Sequence, residues 1–431
     1  MKLATIREFS SYVVPSVLAF ALSGVYTIVD GFFVGQKLGD IGLAAITVAC
    51  PVATLIAAIG TGIGMSGAIR YTIFEAIGDK EKTAESFSGT TILMLLTSIL
   101  LTLVLFFCSA PIVSLLGSQG EIAQPAEEYA RVIALGTIFQ LLATGFVPFI
   151  RNMGAASFAM TAMVIGFIAN IILDFLLVWV FEWGMAGAAL ATVMAQAVTM
   201  IAALAFFIRR KCAWKIPDKG ALTSLWLAVL KVSVSPFGLT FSPTVVLIFM
   251  NKFLLLYGTE QSVAVYGCIG YVVWIVYLLL QGVGDGAQPL MSHYYGKKDA
   301  RRTGLILNLS YISAGIVTAL CMLLIYAMRA DVGVLFGASE GAIKDVISYL
   351  PYFLLSMPFL AFVRITTSFF YATEKTKLSY LLVYAEPLLT LFGLFTLPIF
   401  FGLFGVWIAT PLAQISAFVI AVICRSKARS A

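Results

Sequence analysis

Charge is scarce in this chain: only 11% of its 431 residues are Asp, Glu, Lys or Arg, while 61% are apolar. A soluble domain carries about a quarter charged residues, so a chain of this composition cannot coat itself in water. No polar stretch long enough for a soluble domain separates the apolar runs. Histidine occurs once, at His293, which excludes the paired-His motifs of zinc proteases. The six cysteines include no C-x-x-C pair, and most fall within apolar runs, so neither a disulfide framework nor a metal site is indicated. No G-x-x-x-x-G-K-[ST] loop is present to hold a nucleotide, and no cofactor is expected. An intramembrane enzyme would need a nucleophile with a base, or paired acids for a metal diphosphate. With no D-x-x-x-D pair and no second His, the chain is not expected to be an enzyme.

What the sequence has in quantity is hydrocarbon. A helix crossing a bilayer needs about 20 mostly apolar residues. Such runs fall at about 9–34, 41–69, 87–116, 129–150, 158–181, 186–208, 225–257, 262–290, 305–328, 349–371, 378–400 and 403–424. Ala19-Phe20-Ala21 has the small-x-small form of a signal-peptide cleavage site. The apolar run continues past it and eleven more follow, so the first run is read as a span. The formal net charge of +6 could suggest nucleic acid, but its distribution says otherwise. With the amino terminus placed in the cytoplasm, 20 of the 27 Lys and Arg fall on that face, among them Lys2, Arg70, Arg151, Arg209 and Arg210. Only Lys37, Arg329 and Lys344 fall on the other. This asymmetry is a topology signal, and it puts both termini in the cytoplasm of a cell whose inner (plasma) membrane the chain spans. The expected surroundings are a lipid bilayer, with no nucleic acid and no second subunit.

The second half repeats the first. Pro15 aligns with Pro236 and Asp30 with Asn251 at an offset of 221, and Gly62, Gly64, Gly117 and Tyr129 align with Gly282, Gly284, Gly337 and Tyr349 at 220. Gly184-x-x-Gly187-x-x-x-Ala191-Thr192-x-x-Ala195-Gln196 matches Gly402-x-x-Gly405-x-x-x-Ala409-Thr410-x-x-Ala413-Gln414 at 218. Six spans per half is an even number, so both halves start on the same face and the repeat is parallel. The expected fold is an all-α integral membrane protein of twelve transmembrane helices in two pseudo-twofold-related six-helix lobes. Residues 1–208 form the amino lobe, 209–224 a cytoplasmic linker and 225–431 the carboxy lobe.

Three stretches then resemble a known family. They are Pro15 to Asp30 running on as Val-Asp30-Gly-Phe-Phe-Val-Gly35, the Gly282-x-Gly-x-Gly-x-Gln288-Pro289-Leu290 run, and Asn170-x-x-x-Asp174 followed by Gly184-x-x-Gly187. Together with the span count and the duplication they are similar to the multidrug and toxic compound extrusion (MATE) family, in its prokaryotic DinF-like and MepA-like branches. The resemblance implies a secondary-active antiporter that exports amphipathic, mostly cationic organic compounds in exchange for Na⁺ or H⁺ by alternating access. It also implies a cation site in the amino lobe at Asp30, Tyr129, Asn170, Asp174 and Thr192. Some branches carry an acidic pair on the seventh and tenth helices; here the seventh has Asn251 and the tenth has no acid.

The acids themselves point the same way. Of the 21 Asp and Glu, nearly all lie in loops, and Asp30, Asp174, Asp285 and Glu386 do not. A carboxylate at mid-membrane costs ~2.5–3.5 kcal/mol on insertion scales, so such residues usually have a task. Asp30 and Asp174 both belong to the outer half of the amino lobe, and Asn170 lies one helical turn from Asp174. Oxygen donors of this kind suit a hard alkali cation, and two neighbouring acids equally suit a proton carrier. The repeat sets Glu386 opposite Asn170, with Pro387 behind it; together with Asn251 it is a candidate substrate or coupling residue of the carboxy lobe, or an acid paired locally beside a proline. Pro15, in the same helix as Asp30, lacks an amide donor and is a candidate bend. The rival reading is a lipid-linked oligosaccharide flippase, which would need several buried cations facing pyrophosphate; only Arg364 and Arg131 are placed for that. The topology is directly testable: tags at both termini and within 209–224 should be cytoplasmic and a tag at 117–128 external, and an amino terminus open to protease on intact cells would reverse the assignment.

Overall fold

The computed structural model describes residues 2–335 and 338–430 and is helical along almost its whole length. Of the repeat pairs, Gly117/Gly337 has its second member outside the described residues. Among the described residues eleven helices are long and apolar enough to cross a membrane, and one bent pair taken as a single span makes a twelfth. In chain order they are α1 (Ala4–Gly39), α2 (Ile41–Ile77), α3 (Lys80–Phe107), α4 (Gly120–Leu135 with Thr137–Asn152), α5 (Ala156–Val180), α6 (Gly184–Arg209) and α7 (Lys219–Tyr257). The rest are α8 (Glu260–Gly296), α9 (Ala300–Ala327), α10 (Glu340–Ala372), α11 (Thr376–Phe401) and α12 (Leu403–Ala428). Short helices at Ser109–Leu115 and Arg329–Leu335 follow α3 and α9.

The breaks have local causes. Helix α1 runs into α2 without a loop, separated only by Gly39, whose φ of 65° belongs to the left-handed region that L side chains avoid. Helix α3 starts at Asp79, whose carboxylate accepts from the Lys82 amide at 3.0 Å, and α10 starts at Ser339, which accepts from the Ala342 amide at 3.3 Å. Helix α7 begins at Lys219, inside the stretch expected to be linker, because nothing in Lys219–Ser224 stops a helix once Pro217 is passed. The fourth span, expected as one helix over 129–150, is bent by 59° at Gly136. A Cβ there would fall 2.2 Å from the Val193 side chain, so the glycine lets α4 and α6 touch at the bend. Pro15 lies within α1, whose helix assignment passes through it unbroken.

Contacts gather the chain into two compact units. One contains Ser10–Thr240 with Ser292–Asp299, and the other Met1–Phe9, Phe241–Met291 and Ala300–Ala431. Between apolar helices in apolar solvent, packing replaces the hydrophobic effect as the cohesive force, and small residues allow the close approach it needs. The first unit has such a seam at Gly60-x-x-x-Gly64, where added Cβ atoms would fall 2.2 Å from Thr144 Oγ1 and 2.2 Å from the Gly145 carbonyl oxygen. Gly166 meets Thr199 in the same way, at 2.1 Å, which sets α5 tightly on α6. In the second unit a Cβ on Gly405 would meet the backbone of Leu397 at 2.5 Å, which holds α12 against α11.

Gly64→Ala should therefore destabilise the protein by about 1–3 kcal/mol, since backbone cannot move aside as a side chain can. Gly31→Ala, with nothing within 4 Å of the added carbon, should be neutral or slightly stabilising. Melting of the two purified variants in one detergent checks this, and equal melting temperatures would refute the seam.

Candidate cation site

In the first unit α1 and α5 run side by side in the same direction, and a ladder of contacts fixes their register. The Tyr26 ring stacks on Phe167 at 5.0 Å between centroids, Phe33 meets Phe175 at 6.5 Å and Trp179 at 6.2 Å, and Trp179 Nε1 donates to the Phe33 carbonyl at 3.3 Å. At the end of the ladder Lys37 Nζ pairs with Glu182 Oε1 at 2.6 Å. Between the rungs at Phe167 and Phe175 the same register sets Asp30 of α1 beside Asp174 of α5, with their carboxyl groups in hydrogen-bonding reach.

Asp174 is fully buried, and neither of its oxygens receives a hydrogen bond from an amide, hydroxyl or cation. Two carboxylates offer each other only lone pairs, so the facing acids satisfy one another only when one of them carries a proton. Asn170, one turn below, is also buried, and neither its Oδ1 nor its Nδ2 has a partner. Unpaired buried polar atoms are rare in folded proteins, and each costs about 1–3 kcal/mol. Four of them stand on adjacent turns of one helix, where a cation or a proton would satisfy the carboxylate and the amide oxygen.

Helices α4 and α6 supply the rest. Tyr129, on the first arm of α4, is buried and lies beside Thr192 of α6, whose hydroxyl donates to the Ala188 carbonyl at 3.2 Å. The Tyr129 phenol lies in the neighbourhood of Asp30, Cys50 and Tyr26. Asp30, Tyr129, Asn170, Asp174 and Thr192 thus belong to four helices of one unit, Asp30 and Asp174 meeting directly and Tyr129 meeting Thr192. The donors are all oxygen apart from the amide nitrogen, and no cluster of three His, Cys, Asp or Glu exists among the described residues. A monovalent hard cation or a proton fits that set; a transition metal does not.

One feature of the site had no signal in the sequence. Directly after Asp174 the helix widens to a π turn over Phe175–Val180. Such turns are uncommon and concentrate at functional positions, and this one re-aims the backbone just past the acid. Tyr26 was legible only as one aromatic among many, although it stands one turn before Asp30.

In the second unit Glu386 of α11 is half-buried and accepts from Tyr277 and Gln414. Asn251 is half-buried as well and makes no hydrogen bond to Glu386. Arg364, one of the two candidate interior cations, is 6% exposed and packs against the face of the Tyr277 ring. Arg131 is exposed and pairs with Glu127 at 2.8 Å.

The MatE family model matches residues 15–176 and 239–396. The multidrug export protein MepA of Staphylococcus saprophyticus is 24% identical, with 99% of this chain and 95% of that protein aligned. Among solved structures, a crystal structure of MATE in complex with MaL6 superposes with a TM-score of 0.91 at 22% identity, covering 99% of this chain and 97% of that one. An outward-facing multidrug resistance MATE family transporter of the MOP superfamily gives 0.90 at 22%, covering 98% and 96%.

The Lys37 ammonium holds the exposed Glu182 carboxyl below the usual carboxylate range. A lowered titration range means that the clasp is complete at neutral pH and is lost only as the pH falls through that range. Amide exchange at 181–186, corrected for its intrinsic pH dependence, should therefore accelerate only once the pH falls below the usual carboxylate range. In Glu182→Gln it should be faster from the outset and show no such step; identical profiles would remove the clasp from the account.

Proposed function

This chain belongs to the MatE family, and from that premise we propose that it is a multidrug efflux transporter driven by cation antiport. Amphipathic organic compounds, mostly cations, leave the cell as H⁺ or Na⁺ enters. The six-helix lobes proposed are residues 1–208 and 225–431, joined by 209–224, and the cation is taken by the amino lobe.

The observation that carries this reading is the facing pair Asp30 and Asp174, with the unpartnered Asn170 beside it. The pair needs one positive charge to be satisfied. A proton shared between the carboxyls supplies it, and so does Na⁺ held by the two carboxylates and Asn170 Oδ1. When the cation leaves, two negative charges face each other with no donor between them, and α1 and α5 are driven apart around the π turn. Helix α1 carries both Asp30 and Pro15, so a change of charge at the acid meets a helix whose ladder of hydrogen bonds is already incomplete one lobe-width below. Coupling requires an element with two shapes, and α1 is the element proposed for that role.

A flippase for a lipid-linked oligosaccharide has less support. Its pyrophosphate would need several buried cations, whereas of the two candidates only Arg364 is buried, Arg131 sits at the surface with Glu127, and Lys231 and Lys252 are exposed.

Asp30→Asn keeps volume and hydrogen-bonding capacity but cannot carry or release the charge. It should abolish gradient-driven efflux while leaving insertion and folding intact. Ethidium efflux from proteoliposomes, with Na⁺ and H⁺ gradients imposed separately, measures this and identifies the ion. Wild-type efflux by the variant would remove Asp30 from the mechanism, and no efflux by the wild type under either gradient would sink the antiport reading.

A further inference from the structure

The second unit carries a polar cluster at the position where the repeat places the first unit's acids, and the proposed coupling leaves it unused. Glu386 Oε1 receives two hydrogen bonds, from the Tyr277 hydroxyl of α8 at 2.5 Å and from Gln414 Nε2 of α12 at 2.9 Å. The same Nε2 donates to the Tyr277 oxygen at 2.9 Å. Ser356 of α10 donates to Gln414 Oε1 at 2.6 Å, which fixes the amide with its NH₂ toward the acid. Four helices thereby hold one carboxylate oxygen in place.

The second oxygen is treated differently. Glu386 Oε2 accepts no hydrogen bond, yet it is absent from the sealed, unpartnered polar atoms of the interior. Glu386 as a whole is half-buried, so this oxygen is not sealed off by protein. Arg364 mirrors it: the side chain is 6% exposed, its guanidinium carbon lies 4.2 Å over the Tyr277 ring, and Nε is sealed without an acceptor. The guanidinium forms no ion pair among the described residues. One tyrosine therefore carries an acid at its hydroxyl edge and an arginine on its face, each with bonding capacity to spare.

That arrangement constrains a ligand. A buried arginine without a carboxylate is expensive to keep, and bringing a second cation to Glu386 would set it near Arg364 without relieving the arginine. A simple anion at Arg364 would meet Glu386 in the same way. A molecule carrying both charges leaves every charge paired.

We propose that Glu386, Arg364 and Tyr277 form a recognition site for zwitterionic organic compounds, with the ligand's ammonium on Glu386 Oε2, its carboxylate on the Arg364 guanidinium and its apolar body along the aromatic wall of Tyr277. The proposal rests on the export reading for its purpose but is independent of the coupling ion. Glu386 and Arg364 act here as ligand contacts, and Gln414 and Ser356 as positioning residues.

The test uses three matched fluorescent probes: Nε-dansyl-lysine, a zwitterion; its methyl ester, a cation; and its Nα-acetyl derivative, an anion. Each is titrated at pH 7 against the purified full-length protein in lipid nanodiscs without any gradient. The wild type should bind the zwitterion about tenfold or more tightly than either relative, the size of one charge-assisted hydrogen bond. Glu386→Gln should lose that factor for the zwitterion and the ester but not for the acetyl compound. Arg364→Gln should lose it for the zwitterion and the acetyl compound but not for the ester. Equal binding of all three probes, a preference for the ester, or an equal loss for all three in either variant would overturn the proposal and leave the cluster a structural one. If either neutral variant fails to fold, Glu386→Asp and Arg364→Lys are read by the same ratios: each should keep the charge preference with weakened binding, and ratios that collapse to unity count against the site. Because no gradient is applied, a negative result here is distinct from a failure of ethidium efflux.

Discussion

In the hydrocarbon layer of a bilayer there is no water to complete a hydrogen bond, so each buried polar group must find its partner in the chain or in what the chain binds. The backbone meets that demand by being helical over nearly every described residue. Ser and Thr side chains meet it by donating to the carbonyl one turn earlier, as Ser66, Ser88, Thr91, Ser310 and Thr367 do. Against that background the exceptions become informative. Asn170 and Asp174 are buried, adjacent and unpartnered, and they lie where Asp30 arrives from the neighbouring helix.

The two halves solve the same problem in opposite ways. At the repeat position of Asn170 stands Glu386, and at that of Asp174 stands Thr390, whose hydroxyl donates to the Glu386 carbonyl at 2.9 Å. The acid of the second half is thus fixed by its neighbours through one oxygen, whereas the acids of the first half have only each other. A parallel difference separates the fourth span, bent at Gly136, from α10, which is a continuous helix. Duplication supplied two equivalent sets of helices, and substitution at a few interior positions left one with facing acids that have only each other and the other with a single carboxylate held by its neighbours.

Close packing makes both sets rigid enough to hold such geometry. The glycine seams bring helices to backbone contact in each unit, and the rungs from Tyr26–Phe167 to Lys37–Glu182 fix α1 on α5 in a single register. A shift of one residue along that ladder would rotate Asp30 away from Asp174 by about 100° on its helix. The π turn at Phe175–Val180 absorbs an extra residue between the acid and the Lys37–Glu182 pair, so the contacts on either side remain satisfied at once.

The sequence by itself determined that the chain crosses a membrane about twelve times, that it is a duplication, and which acids lie in its interior. Hydropathy, charge asymmetry and repeat spacing are properties of composition and order, and the bilayer converts them into helices with little room for alternatives. Asp30, Asp174, Asn170 and Glu386 were legible because polar residues in apolar runs are few. Only the tertiary structure decided which of these residues meet. Whether Asp30 lies against Asp174, whether Glu386 is held by Tyr277 and Gln414, and whether Arg364 turns inward depend on the rotation and register of helices far apart in the chain. So do the bend at Gly136 and the π turn after Asp174. Those are fixed by side-chain packing between helices, and an apolar helix presents much the same hydrophobic face in every direction, so its sequence carries no periodic signal of which side its neighbour will take.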